Sequence, residues 1–280
     1  MFRTELGENI FKQKYASNPY ETWEDRAKTV VNWVCGDVDG TKNNLMSKTD
    51  RDQIARYITE FKFMPGGRYL WYGGRDARFF NNCYLLKAEE DTREEWASLW
   101  ERAGSCLMTG GGIGIDVSAF RPSGRALRRT GGVSSGPLPF LEAVNAIGRE
   151  VMQGGSRRSA LYGSLNWQHE DARSFMHMKN WHEMEVAGAA NPDGSRFTVA
   201  DAKRANFNYK APLDQMNISL NYDDDWLRNG VSDVFVENCR QALMTGEPGF
   251  SFNFGEKSNE TLRNACTEIT SEDDSDCCNL

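Results

Sequence analysis

At 280 residues the chain is long enough to bury a substantial core, as one large domain or two medium ones. An apolar fraction of 39% and a charged fraction of 26% exclude a disordered or fibrous chain. The net charge of -7 argues against a general nucleic-acid binder, which would carry a basic face, but leaves room for a few arginines at a nucleotide phosphate.

The opening MFRTELGENIFKQKY lacks the basic-then-apolar layout of a signal peptide, and no apolar run approaches the length of a membrane span. A cytosolic protein without membrane or nucleic-acid partners is expected. The first sixty residues read as helical. Thr22 and Asp25 precede a run through Val30, Val31 and Val34, and Ile54, Tyr57, Ile58 and Phe61 follow at helical spacing. MPGGR at 64–68 breaks the pattern.

From there, short β-like runs alternate with amphipathic helices. The expected strands are 69–72, 84–87, 113–117, 160–165, 216–221 and 250–254. One helix opens at Thr92 with Glu95 three residues on, the pattern of a capping box; others begin at Pro137 and span 231–244. Such alternation predicts an α/β protein with a largely parallel sheet, whose ligands lie beyond the carboxyl ends of its strands. The stretch 181–214 is polar and irregular and reads as a surface insertion.

Three glycine-rich loops, 109–118, 130–137 and 153–160, lie close together, with Arg121, Arg125, Arg128, Arg129, Arg157 and Arg158 in or near them. Each alone is consistent with a tight turn bearing solvated charges; together they favour a phosphate-bearing ligand. None matches GxxxxGK[ST].

Of the seven cysteines, Cys35, Cys106 and Cys239 fit small buried hydrophobes. An odd, widely spaced set without CxxC, and three histidines confined to 169–182, give neither a secreted disulfide framework nor a metal site. Cys266 stands in NACTE between Asn264 and Glu268, and in an extended segment all three would face one way. The acidic run SEDDSD beside Cys277 and Cys278 is expected to raise thiol pKa values, which disfavours a nucleophilic thiolate but not a one-electron role.

NNC at 81–83, GGGIGIDVSAFRPSG at 110–124, QGGSRRSA at 153–160, MNIS at 216–219, GEPGFSF at 246–252, NACTE at 264–268 and CNL at 278–280 occur in order. Together they resemble the large catalytic subunit of ribonucleotide reductase, most of all its adenosylcobalamin-dependent (class II), phage-type members. The resemblance implies the first half of a ten-stranded α/β barrel over 63–280, preceded by a helical region over 1–62. It makes Cys266 the thiyl-radical residue, Glu268 the base on the ribose 3′ hydroxyl and Asn264 the amide that binds the ribose. Cys83 and Cys278 become the pair that reduces the 2′ position and ends as a disulfide.

Asn82, Gly112 and Arg157 fall at substrate-side positions, and Asp91 and Arg128 at positions that hold a deoxynucleoside triphosphate or ATP specificity effector. The implied cofactor is adenosylcobalamin. The implied partners are a ribonucleotide, a thioredoxin-like reductant, and a second polypeptide carrying the other half of the barrel. Relatives include both homodimers and monomers, and a phage gene would place the protein in the host cytoplasm. The segment GGRY at 66–69 lacks the Ser or Thr that many relatives place near the substrate phosphate. The chain stops where relatives continue, so a split or truncated reductase, inactive alone, is expected. Two other readings remain: a class I catalytic subunit served by a separate radical-generating subunit, and a nucleotide-binding fragment without catalysis.

Overall fold

The computed structural model describes residues 2, 4–35, 46–76, 79–151 and 159–279. Its chain forms two compact units, residues 1–82 with 279–280, and residues 83–278.

The first unit is helical, with α1 (Glu5–Ile10), a π-helical turn (Phe11–Tyr15), α2 (Trp23–Cys35), α3 (Lys48–Thr59) and α4 (Gly67–Tyr72). Its core is aromatic. Trp23 stacks on Phe61 with ring centroids 5.4 Å apart, and its indole N–H donates to the Ile58 carbonyl at 3.2 Å. The fully buried Arg26 donates to Ser17 Oγ at 2.6 Å and to the Gly73 carbonyl. Residues 69–72, expected as a strand, are helical. The amides of Tyr69 and Leu70 donate to the Gly66 carbonyl at 3.0 and 3.3 Å, and Leu70 is buried. Aromatic content favoured a strand, but packing of a short helix overrode that weak preference.

The second unit is built on β1 (Cys83–Lys87), α5 (Arg93–Met108), β2 (Gly112–Asp116), α6 (Leu138–Glu150), β3 (Leu161–Asn166) and α7 (Ala172–His177). There follow the hairpin β4 (Glu185–Ala190) and β5 (Arg196–Thr198), then α8 (Val199–Ala205), β6 (Met216–Tyr222), α9 (Asp224–Asn229), α10 (Asp233–Thr245) and β7 (Gly249–Phe252). A small hairpin of β8 (Leu262–Arg263) and β9 (Thr270–Ser271) precedes β10 (Asp276–Cys278). The expected strands from 84 onward and all three expected helices are present, with ends shifted by a few residues. The polar stretch 181–214 is more regular than its composition suggested, because 191–195 close the β4–β5 hairpin and Thr198 and Asp201 form a capping box on α8.

The sheet runs β10-β1-β2-β3-β6-β7. Five strands are parallel and each lies beside its predecessor in the chain, so right-handed crossovers stack their helices on one face. That face is apolar. Leu86, Ile113, Ile115, Leu161, Leu165, Met216, Ile218 and Leu220 pack against Leu99, Ala103 and Leu107 of α5, Phe140, Leu141 and Val144 of α6, and Phe175 of α7. The alternate residues face the other way. Along the register these include Cys83, Leu85, Lys87, Gly112, Gly114, Asp116, Tyr162, Ser164, Asn217, Ser219, Asn221 and Ser251, a largely polar surface. No described helix is long and apolar enough to cross a membrane.

Asp214, with a side chain 2% exposed, ties α6 and α8 to the approach to β6. It accepts from Arg149 at 2.6 Å, Lys203 at 2.7 Å and Asn145 at 3.1 Å. Burial pushes its pKa up, but these donors outweigh burial and hold it at about 2. The resulting stabilisation is complete above the unfolded value near 3.8 and is lost as pH falls through about 2. Asp214→Asn is expected to cost about 2 kcal/mol at pH 7. Its deficit in melting temperature against the unaltered chain should shrink between pH 5 and pH 2, which thermal melts across that range will check.

Candidate active site

β10 is antiparallel to β1 and places Cys278 directly opposite Cys83. Residues so opposed lie about 4.5–5.5 Å apart at Cα, within the span of about 4.4–6.8 Å that a disulfide bridges. Both thiols are free and buried and pack with Ala265 in a small separate cluster. Ala265 comes from the β8–β9 hairpin, which lies across the polar face of the sheet.

Two glycines make room for it. A Cβ at Gly112 would stand 3.0 Å from Cys83 Sγ and 3.1 Å from the Ala265 Cβ, and one at Gly114 would run into the Arg263 carbonyl. Part of the glycine-rich run at 109–118 therefore lies within β2 and accommodates the chain's own hairpin. At the hairpin base, Arg263 reaches across to β7, donating to Ser251 Oγ at 2.5 Å, Asn253 Oδ1 at 3.2 Å and the Phe252 carbonyl at 3.3 Å. Sequence reading missed this arginine, whose only signal was its place immediately before NACTE.

The hairpin tip is a tight turn, so the extended geometry expected for NACTE does not form. The Thr267 amide donates to the Asn264 carbonyl at 3.0 Å, and Thr267 has a left-handed φ of 70°. Asn264 is fully buried. Its Oδ1 accepts from the Ile269 amide at 3.1 Å, and its buried Nδ2 is left facing the Cys278 thiol. Cys266 and Glu268 are exposed at the tip. The three groups still meet at the cysteine pair, by turn geometry in place of strand alternation. Glu268 Oε1 accepts from the Cys278 thiol at 3.9 Å.

The thiols are held protonated. Burial pushes Cys83 up, a hydrogen bond with the Ala265 backbone pulls it down, and Cys266, Cys278 and Glu268 push it up again. Cys278 is raised first by burial and then by Glu268 and Cys266, with the Asn264 amide opposing. The expected direction is met at Cys278, but its carboxylate neighbour is Glu268 and not the acidic run. Asp274 of that run instead adds to the upward push on Cys106, which burial and Asp274 carry to about 11 against the opposing pull of Arg102.

The other expected site residues are dispersed. Asn82 belongs to the first compact unit, where its amide lies 3.5 Å from Asn279 Oδ1. Asp91 is paired with Arg121, which also donates to the Asp91 carbonyl at 3.2 Å. Arg128 is exposed on a small hairpin closed by the Ala126–Val133 bridge, with the neighbouring Arg129 close enough to Glu94 to lower its pKa, behind the direct bond from Arg93. Arg157 lies outside the described residues. Missed entirely was Asp116, buried on the polar face. Burial pushes its pKa up, while the Ser118 amide at 2.9 Å and hydroxyl pull it down, and Asn221 donates to it at 3.2 Å.

Residues 81–234, more than half of the chain, match the family model described as ribonucleotide reductase, barrel domain. Over 222 residues the chain is 30% identical to a vitamin B12-dependent ribonucleoside-diphosphate reductase of Mycobacterium tuberculosis, covering 72% of this chain and 28% of that protein. It is 30% identical over 125 residues to the ribonucleoside-diphosphate reductase large subunit of vaccinia virus, covering 44% of this chain and 16% of that one. Among solved structures, the Actinobacillus ureae class Id ribonucleotide reductase alpha subunit superposes with a TM-score of 0.70 at 17% identity, over 98% of this chain and 48% of that chain. That likeness bears on the fold, which is the expected barrel type with a helical N-terminal region.

If Glu268 holds the buried thiols up, Glu268→Gln must let them down. The pH at which Cys278 is half-alkylated should move to lower pH in that variant, with Cys83 following. Mass-spectrometric alkylation profiles across pH 7–11 will read this, and an unmoved midpoint would remove the carboxylate from the thiol environment.

Proposed function

Because the chain belongs to the ribonucleotide reductase large-subunit family, we propose that it forms the wall of a reductase active site that carries the radical thiol and the reducing cysteine pair. The observation that carries this reading is the Cys83–Cys278 cross-strand pair with Asn264, Cys266 and Glu268 brought onto it by one hairpin. The chain spans 28% of the length of the mycobacterial reductase it matches. The complete reaction therefore draws on parts of the barrel outside these 280 residues, whether on the same or a second polypeptide.

On this reading the Cys266 thiyl takes the 3′ hydrogen atom of a ribonucleotide, and Glu268 accepts the 3′ hydroxyl proton. The buried Asn264 Nδ2, beside the cysteine pair, is the donor offered to the ribose. The 2′ hydroxyl leaves as water. Cys83 and Cys278 supply two electrons and two protons and become a disulfide, and Cys266 returns its hydrogen atom to C3′. Raised thiol pKa values suit this role, since both sulfurs must hold their protons until the hydroxyl departs. A thioredoxin-like dithiol then resets the disulfide by exchange. Asp91 and Arg128 are proposed to hold a deoxynucleotide or ATP effector, Arg157 to relay its identity, and Asn82 and Gly112 to contact the substrate.

The radical source follows from the relatives. The B12-dependent reductase supports adenosylcobalamin, which when bound supplies the radical that Cys266 receives. This chain's own contribution toward that cofactor is an exposed thiol at the hairpin tip, open to an approaching group. The vaccinia large subunit and the class Id alpha subunit support a second reading, in which a separate subunit delivers the radical.

The test is deoxynucleotide formation from ribonucleoside di- and triphosphates by the chain joined with the remaining barrel of a relative. Turnover dependent on adenosylcobalamin is expected, and turnover requiring an added radical-generating subunit would favour the second reading. Cys266→Ser should lower turnover at least about a thousandfold while the melting temperature stays unchanged. Turnover persisting in that variant would remove the radical role.

A further inference from the structure

The last strand is three residues long and two of them are consecutive cysteines. In the observed register Cys278 opposes Cys83 and is buried, while Cys277 opposes Tyr84 and is exposed. A slip of one residue would bring Cys277 opposite Cys83 and turn Cys278 to the other face. So short a ladder has few main-chain bonds with which to resist that slip.

The turn before the strand supplies the resistance. Asp274 lies in the turn that leads into β10, and its Oδ1 accepts the Lys87 backbone N–H at 2.9 Å. The carboxylate thus takes the place of a main-chain acceptor and ties the turn to β1 beyond the end of the ladder. Its Oδ2 accepts from the guanidinium of Arg102 on α5. Arg102 is itself steadied by Glu95 at 2.9 Å and reaches the Lys87 carbonyl at 3.5 Å. This use of Glu95 explains why the capping box at Thr92 is only half formed: the Thr92 hydroxyl accepts from the Glu95 amide, while the Glu95 carboxylate turns to Arg102. The Ser275 amide, donating to the Leu85 carbonyl at 2.9 Å, completes the attachment.

We propose that Asp274, held by Arg102, is the positioning residue that selects Cys278 over Cys277 as the redox partner of Cys83. The proposal rests on the reading of Cys83 as a redox residue. A one-residue slip would move the Asp274 carboxylate off the Lys87 amide and out of line with Arg102. Register and charge pairing therefore hold or fail together.

The experiment follows disulfide formation in the purified chain with glutathione disulfide as oxidant. Cys83 and its partner lose two protons and two electrons as glutathione disulfide becomes two glutathione thiols. A Cys277→Ser chain reports the Cys83–Cys278 bond, and a Cys278→Ser chain reports the Cys83–Cys277 bond, each read as an intramolecular cross-link by peptide mapping. Adding Asp274→Ala should speed the Cys83–Cys277 bond relative to the Cys83–Cys278 bond by about tenfold, the scale set by a lost charged hydrogen bond. Arg102→Gln, which leaves the Asp274-to-backbone bond in place, should give a smaller change in the same direction. It also carries the test if the alanine variant does not fold by circular dichroism.

A general loosening would move both rates together, so the ratio is the readout. An unchanged ratio in both variants overturns the selection while leaving the redox pair intact. Failure of the Cys277→Ser chain to form the Cys83–Cys278 bond overturns the redox-pair reading and this proposal with it.

Discussion

The site depends on the antiparallel pairing of β10 with β1 at the edge of an otherwise parallel sheet. Parallel neighbours are reached through helical crossovers, which set their spacing and direction. An antiparallel strand at the edge needs no crossover, so residues far along the chain can be laid beside the first strand. Cys83 starts the second compact unit and Cys278 ends it, and this one ladder brings them face to face. The β8–β9 hairpin lies between β7 and β10 in sequence, so closing the ladder draws the hairpin back over the sheet.

One-sided winding makes that possible. With each parallel strand beside its predecessor, the helices collect on one face and bury the aliphatic alternation there. The opposite face has a polar alternation, with glycines on β2 where another backbone must come close. Parallel sheets are ordinarily covered on both faces. Here the second cover is a hairpin pinned by Arg263 across to β7 and seated on Gly112 and Gly114. Side chains that look misplaced for a core strand, such as Asp116, Ser164 and Asn221, bond to one another on that face.

How much of this could be read beforehand follows from the range of each interaction. The α/β alternation and helix starts at Thr92 and Pro137 were legible because periodicity and capping are local. The chemistry of NACTE was legible as residue types, but its conformation was not, since the turn at Thr267 exists only in a hairpin seated against a distant strand. Aromatic residues at 69–72 suggested a strand because propensity ignores the partners a strand would need. The acidic run looked like an electrostatic burden on its neighbouring thiols. Its structural use is attachment, since Asp274 spends its charge on Arg102 and a backbone amide. The pairing of Cys83 with Cys278 came only from family resemblance, for nothing local links residues so far apart in sequence.

The electrostatics of the thiol pocket limit which chemistry it can serve. A nucleophilic cysteine needs its thiolate stabilised by a cation, a helix N-terminus or a paired base. Here burial and a carboxylate act on Cys278 in the opposite sense, and the same two influences raise Cys83. That arrangement is poor for attack on a carbonyl or phosphorus centre. It suits a pair that must deliver protons together with electrons, because a thiol that ionised early could no longer protonate a departing hydroxyl. Glu268 then has two effects from one position. Its charge adds to burial in raising both thiols, and on the proposed reading the same carboxylate is the base for the ribose. On that reading, protonation of Glu268 by the 3′ hydroxyl would remove its charge, and the thiols beside it would become easier to ionise.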